Sequence, residues 1–206
     1  MHSGAIDSKT KSVLEKIAKS GMAKKFYLAG GTALAIQFGH RKSIDLDFFS
    51  GEKFSVSALK KRLSTTGKFI LDHEEEQTLD GSLDGVKVSF FHYDYKLLFP
   101  FVSFSGVKMA DERDIAAMKI DTVSSRGGKK DFIDLYFLLQ KYSLEKILEI
   151  FAKKYSRIKY NKLHILKSLV YFEDAEKEPM PEMIEKMKWE GMKKDISRKI
   201  KSFRDL

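Results

Sequence analysis

The sequence predicts an α+β protein, with a mixed sheet and flanking helices over residues 1–108 and a helical bundle packed against it over 109–206. Three observations predict this. Strand-like alternation is confined to the first half of the chain, and from Met109 onward apolar residues recur at helical spacing instead. The 206 residues include 43% hydrophobic side chains, with 16 Phe and 8 Tyr, which is enough apolar material for a real core and excludes a disordered chain.

Residues 6–20 read as a helix, with Ile6, Val13, Leu14, Ile17 and Ala18 near helical spacing and Gly21 as a stop. Phe26 to Ala29 is a short strand. Gly30-Gly31 then breaks the run as a tight turn, and the Thr32 hydroxyl offers an N-cap to a helix from Ala33 to Phe38. Ile44 to Phe49 alternates, so Ile44, Leu46 and Phe48 face one way and Asp45, Asp47 and Phe49 the other. Ser55 to Leu63 is helical, Lys68 to Leu71 and Gln77 to Leu79 are strands, Gly81 and Gly85 mark turns, and Val86 to His92 is a further strand. The second half reads as helices over 111–125, 130–141, 144–155 and 163–172. A linker marked by Pro179 and Pro181 follows, then a last helix from Met183 to Ile200 containing Trp189, a core residue by its spacing.

Composition narrows the classes of function. The absence of cysteine excludes disulfides and thiolate metal sites and suits a reducing cytoplasm. The N-terminal residues lack the apolar run of a signal peptide, and no apolar stretch approaches a membrane span. The formal net charge of +9, from 38 Lys plus Arg against 29 Asp plus Glu, favours polyanionic partners, although a lysine-rich surface also serves solubility alone. In the second half Lys153, Lys154, Arg157, Lys159, Lys162 and Lys167, with Tyr155 and Tyr160, read either as an RNA-binding face or as the wet side of helices; the latter is the better reading.

The chemistry concentrates at two places. Asp45 and Asp47 lie two apart in an apolar strand, so both carboxylates share one side of the sheet. Repulsion and desolvation disfavour such a pair unless a divalent cation offsets both, and Mg²⁺ is commonly held by one or two carboxylates plus substrate phosphates. The Gly30-Gly31 turn supplies the complement, because glycines admit a close ligand and the amides opening a helix attract phosphate. Taken singly, a glycine pair or an Asp-x-Asp run is ordinary turn and surface chemistry. In strand–turn–helix–strand order they read together as a phosphate-and-metal site. Arg41 suits a triphosphate through its planar fork, or is a solvated turn residue. His40 is better read as a turn residue, and Ser43 either orients phosphate or bonds locally to the backbone.

The run YLAGGTALAIQFGHRKSIDLDFF, residues 27–49, resembles the signature of the AbiEii/AbiGii toxin family of nucleotidyltransferases, within the superfamily that shares the DNA polymerase beta-like fold. The resemblance implies that fold for the first domain. It implies Gly30, Gly31 and Thr32 at the phosphates, Asp45 and Asp47 as ligands of Mg²⁺ (Mn²⁺ being the alternative ion), and Arg41 and Ser43 beside the site. A second stretch, MKIDTVSSRGGKKDFIDLYFLLQ, residues 118–140, resembles the family's lysine, arginine and Lys-Asp-x-x-Asp pattern. There the resemblance assigns Lys119 and Asp134 to catalysis, Arg126 to the nucleotide, and Asp131 to capping its helix or orienting Arg126. Ordinary helix chemistry competes, since Asp131 suits a helix start and Lys130 and Asp134 form an i,i+4 pair. The third carboxylate expected on a neighbouring strand falls at Ser89, which is a poor metal ligand and a weak base; Asp94 lies further along the same segment.

The function so implied is Mg²⁺-dependent transfer of a nucleoside monophosphate from an NTP to an acceptor hydroxyl, on tRNA or another RNA. It is that of a bacterial toxin with a cognate antitoxin, acting in the cytoplasm. Two alternatives stand beside it: a catalytically impaired nucleotide- or nucleic-acid-binding module, which Ser89 favours, and transfer onto a protein side chain.

Overall fold

The computed structural model describes residues 1–203, which divide into two compact units, Met1–Asp111 and Glu112 onward. The first is a mixed sheet with flanking helices and the second is helical, as expected from the nucleotidyltransferase class. Among the described residues no helix is long and apolar enough to cross a membrane.

In the first unit, helix α1 (Ser8–Lys19) starts where Asp7 accepts a hydrogen bond from the Thr10 amide at 2.6 Å, and it buries Val13, Leu14 and Ile17. Strand β1 (Tyr27–Leu28) leads directly into α2 (Gly30–Phe38), and strand β2 (Leu46–Ser50) returns antiparallel to β1. Helix α3 (Val56–Thr66), capped by Ser55, precedes the meander β3 (Phe69–Glu75), β4 (Thr78–Leu83) and β5 (Val86–His92). A hairpin, β6 (Val102–Phe104) and β7 (Val107–Met109), completes a seven-stranded sheet of order β3-β4-β5-β2-β1-β7-β6. The β2/β5 and β1/β7 pairs are parallel and the other four antiparallel.

The side-chain period of two sets the core. Leu46, Phe48, Leu79, Leu83, Val88 and Phe90 are buried on one face, where the Phe48 and Phe90 rings stack 5.0 Å apart and Phe26 meets Phe90 edge-on. The opposite face carries Asp47, Phe49, Asp80, Ser89 and Phe91.

Three expectations for this unit need correction, and one hairpin is added to them. Ile44, expected to share the face of Leu46 and Phe48, lies before β2 and is 56% exposed. Thr32 is not an N-cap: α2 begins at Gly30, its N-cap is Ala29, and Thr32 sits buried inside the first turn with its hydroxyl bonded elsewhere. Gly81 is not a turn but the middle of β4. A Cβ there would lie 2.4 Å from the Ile70 carbonyl and 2.7 Å from the Phe69 ring, beside the register shift between Leu71 and His73. The β6–β7 hairpin was not anticipated, because two three-residue strands joined at Ser105-Gly106 are too short to show a period.

In the second unit, α4 (Glu112–Ser125) packs on α5 (Lys129–Lys141), α6 (Leu144–Lys154) and α7 (Lys162–Ser168). Helix α5 also meets the short α8 (Glu173–Glu176) and α9 (Trp189–Lys201). Trp189 packs edge-on to Phe132 and Phe172. The last helix starts at Trp189 rather than Met183, and the helix expected to run to Phe172 stops at Ser168. Lys154 and Tyr155 are not surface residues: Tyr155 is buried, and the Lys154 ammonium is fully buried 2.9 Å from Asp114.

Candidate active site

The glycine pair and the acidic strand meet at one end of β1 and β2. Antiparallel pairing of Tyr27 with Phe49 and Leu28 with Phe48 brings the Ala29 amide 3.0 Å from the Asp47 carbonyl, to which it donates. Gly30 follows with φ +67°, a conformation that disfavours any side chain. A Cβ on Gly30 would stand 3.0 Å from Asp47 Oδ2, so the carboxylate lies directly against the first residue of α2. A negative group at a helix N-terminus is favourable there.

Thr32 ties the neighbouring segment to the same helix. Its hydroxyl lies 2.7 Å from Ser43 Oγ and donates to the Asp45 carbonyl. Ser43 is in turn held by its amide, which donates to the Ala5 carbonyl at 2.9 Å. Asp45 and Asp47 are therefore positioned by backbone bonds to the residues that open α2. Arg41 is not a solvated turn residue: only 2% of it is exposed, and one of its nitrogens donates to the Lys42 carbonyl at 3.0 Å. His40 is completely buried, edge-on to Phe38.

Across the sheet, Asp47 pairs in register with Ser89 on β5, and Ser89 pairs with Asp80 on β4. Paired residues share a face, so Asp47, Ser89 and Asp80 form one row. Ser89 is buried between two half-exposed aspartates. Asp94 lies beyond the end of β5 with its side chain 80% exposed, 3.2 Å from His92, and so is displaced from this row.

In the second unit Lys119 on α4 faces two carboxylates of α5. Its ammonium lies 2.7 Å from Asp131 Oδ1 and 2.6 Å from Asp134 Oδ2, and all three side chains are buried. The i,i+3 spacing of Asp131 and Asp134 puts both on the face toward α4. Arg126 Nε adds a 3.0 Å bond to Asp131 Oδ2, with its side chain largely exposed. Burial pushes the Lys119 amine down, but Asp134 and Asp131 outweigh that and hold its pKa above the usual lysine value. Burial pushes the Asp131 carboxyl up, and Lys119 with Arg126 overcome it and hold it below the usual value. Lys119 is therefore a fixed cation, unsuited to act as a base, and Asp131 both anchors it and holds Arg126.

Residues 12–103 and 93–206 match the model of the nucleotidyl transferase AbiEii toxin, type IV TA system. The chain belongs to the AbiEii family. A protein of Aquifex aeolicus (strain VF5) with no assigned function is 39% identical to this AbiEii protein over 199 residues, 94% of this chain and 95% of that one. Two solved structures share its fold at low identity. JHP933 from Helicobacter pylori superposes with a TM-score of 0.56 and 17% identity, covering 95% of this chain and 92% of the other. MenT4, a nucleotidyltransferase toxin of Mycobacterium tuberculosis H37Rv, gives 0.54 and 12%, covering 97% and 87%.

Sequence reading of this AbiEii chain missed Asp80. The signal was present, since Thr78, Asp80 and Ser82 alternate with Leu79 and Leu83, but reading Gly81 as a turn ended the strand one residue short of it. Carboxylates such as Asp45 and Asp47 are donors of the kind a hard cation takes; among the described residues no group of three or more His, Cys, Asp or Glu is placed to hold a metal ion.

Proposed function

We propose that the protein moves a nucleoside monophosphate from an NTP to an acceptor hydroxyl on RNA, tRNA included, as a cytoplasmic toxin restrained by a separate antitoxin protein. The observation that carries this reading is the Asp47 carboxylate set against Gly30 at the start of α2. The Gly30 and Gly31 amides cradle the phosphates and Thr32 holds Asp45 in place through Ser43 and the Asp45 carbonyl. Asp45 and Asp47 would hold Mg²⁺, or Mn²⁺ in its stead, which supplies neutralisation of triphosphate charge. The acceptor oxygen bonds to the α-phosphorus, the bond to pyrophosphate breaks, and the hydroxyl proton leaves to water. Such transfer depends chiefly on positioning and electrostatics. Within the second unit the Lys119 charge is taken up by Asp131 and Asp134, and Arg126 carries that cluster's exposed cation. Arg41, being buried, acts by holding the loop before β2, with Ser43.

A second reading follows from Ser89. A hydroxyl in register with Asp47, where a third acid is expected, suits a module that binds nucleotide without transferring it. Incubation with each labelled NTP, Mg²⁺, and total bacterial RNA and protein separates the readings. Label in RNA from the wild type but not from Asp45→Asn or Asp47→Asn supports transfer to RNA. Label in protein moves the acceptor to a side chain. Nucleotide binding with no incorporation supports the module, and equal labelling by all three proteins overturns the assigned site.

A further inference from the structure

We propose that a basic cleft at the far end of β1 and β2 binds a single RNA strand and leads it to the acidic pair, an inference that rests on the transfer reading for the identity of its occupant. The cleft has a volume of about 460 Å³ and is rimmed by Lys24, Lys25, Lys96 and Lys108, with Tyr95 and Phe101 among its walls. A second cleft, of about 540 Å³, shares Lys24, Lys25 and Phe26 with it and adds Lys53 and Arg62. The two form one track in the first unit with six cationic side chains and one carboxylate, Glu52. A mononucleotide has no use for so long a track. A polyanion with repeating charge does.

The aromatic residues make the occupant a nucleic-acid strand rather than an acidic peptide. Phe101 is 45% exposed, an unusual state for a phenyl ring, and the Lys108 ammonium lies 5.5 Å from its centroid. Its ring tilts against Tyr27 at 5.4 Å, and Tyr95 meets Tyr93 edge-on at 5.2 Å. Rings held in place beside lysines are the pairing that single-stranded binders use, with bases stacking on the rings and phosphates meeting the ammonium groups. Duplexes keep their bases stacked internally and gain nothing from such rings.

Register supplies the direction. Tyr27 pairs with Phe49, the two rings are stacked at 6.0 Å, and Phe49 shares a face of β2 with Asp47 two residues away. Two strand residues span about 7 Å, roughly a nucleotide's length, so a base lodged at the Tyr27 end places the next sugar near the carboxylates.

The test is fluorescence anisotropy with a 5′-labelled single-stranded 12-mer RNA, alongside a fluorescent ATP analogue. The four rim lysines are exposed, so charge reversal spares the core, and thermal melting verifies folding. Triple substitution Lys25→Glu, Lys96→Glu and Lys108→Glu is expected to weaken RNA binding at least tenfold and to lower the slope of log K against log salt by about 2. The pair Tyr95→Ala and Phe101→Ala is expected to weaken it about fivefold or more without altering that slope. Both variants retain affinity for the ATP analogue. Wild-type affinity in either variant, or duplex RNA bound as tightly as the single strand, overturns the cleft. Equal affinity for DNA of the same sequence overturns the assignment to RNA. Strand binding in a protein that labels no acceptor removes the transfer reading and leaves the cleft standing.

Discussion

At the scale of single residues, the site depends on what Gly30 lacks. Its φ of +67° strains any side chain, and a methyl group would stand 3.0 Å from Asp47 Oδ2, so the carboxylate would have to give way. Gly30→Ala is expected to lose about 1–2 kcal/mol of stability from the backbone conformation alone, read in a denaturant melt, and to lose nucleotide affinity as Asp47 is displaced. Unchanged nucleotide affinity would show that the carboxylate does not need this approach. Thr32 acts through its hydroxyl, not as a cap. Thr32→Val keeps the shape, leaves the Asp45 carbonyl without that donor, and should cost about 1–3 kcal/mol, whereas Thr32→Ser retains most of the stability. Equal melts for the two variants would remove the hydroxyl from the account.

At the scale of elements, α4 and α5 are joined by the buried Lys119–Asp131–Asp134 cluster. Because the Asp131 pKa is held below its unfolded value, its contribution is complete above about pH 4 and is lost as pH falls through the lower folded value. Because the Lys119 pKa is held above its unfolded value, its contribution is complete below about pH 10 and is lost as pH rises through the folded one. Lys119→Met removes the main cation facing Asp131 and lets burial raise the folded carboxyl, so the fall in melting temperature below about pH 4 should shrink or reverse relative to wild type; an acid limb of unchanged depth would contradict this. The same elements show what a sequence reveals. The i,i+3 aspartates and the helical period were readable, but Lys119 as their partner was not, because contact across two helices depends on rotation and packing that no local pattern carries. Likewise Asp47 was readable from strand alternation, whereas Asp45 and the exposed Ile44 precede the strand, and Asp80 emerged only with the pairing of three strands. His40 read as a turn residue, and Arg41 as a triphosphate contact or a solvated turn residue, because their polar neighbours in sequence gave no sign that both side chains fold inward.

At the scale of the whole molecule, the net charge of +9 is divided between buried and exposed roles. Lys119 and Lys154 sit in buried ion pairs, while Lys24, Lys25, Lys96 and Lys108 are exposed around one cleft. Salt screens exposed charges over about 8–10 Å near physiological strength and reaches buried pairs far less. Raising salt from about 50 to 200 mM should therefore weaken polynucleotide binding steeply while shifting the melting temperature little. Parallel loss of both would mean that the exposed charge also holds the fold together.

Ser89 occupies the middle of the Asp47–Ser89–Asp80 row, where neighbouring strands stand about 4.8 Å apart. An acidic side chain at that position would stand within one strand spacing of both aspartates, turning a row with one hydroxyl between two acids into three adjacent acids. Without an added ion, Ser89→Asp should melt lower than wild type through crowding of like charge. With Mg²⁺ it should recover, and at lower ion concentration than wild type responds. If the acidic end binds a divalent ion as proposed, this one position sets how firmly it does so, and a titration followed by melting temperature reads it without any turnover; a Ser89→Asp melt indifferent to Mg²⁺ would contradict the proposal.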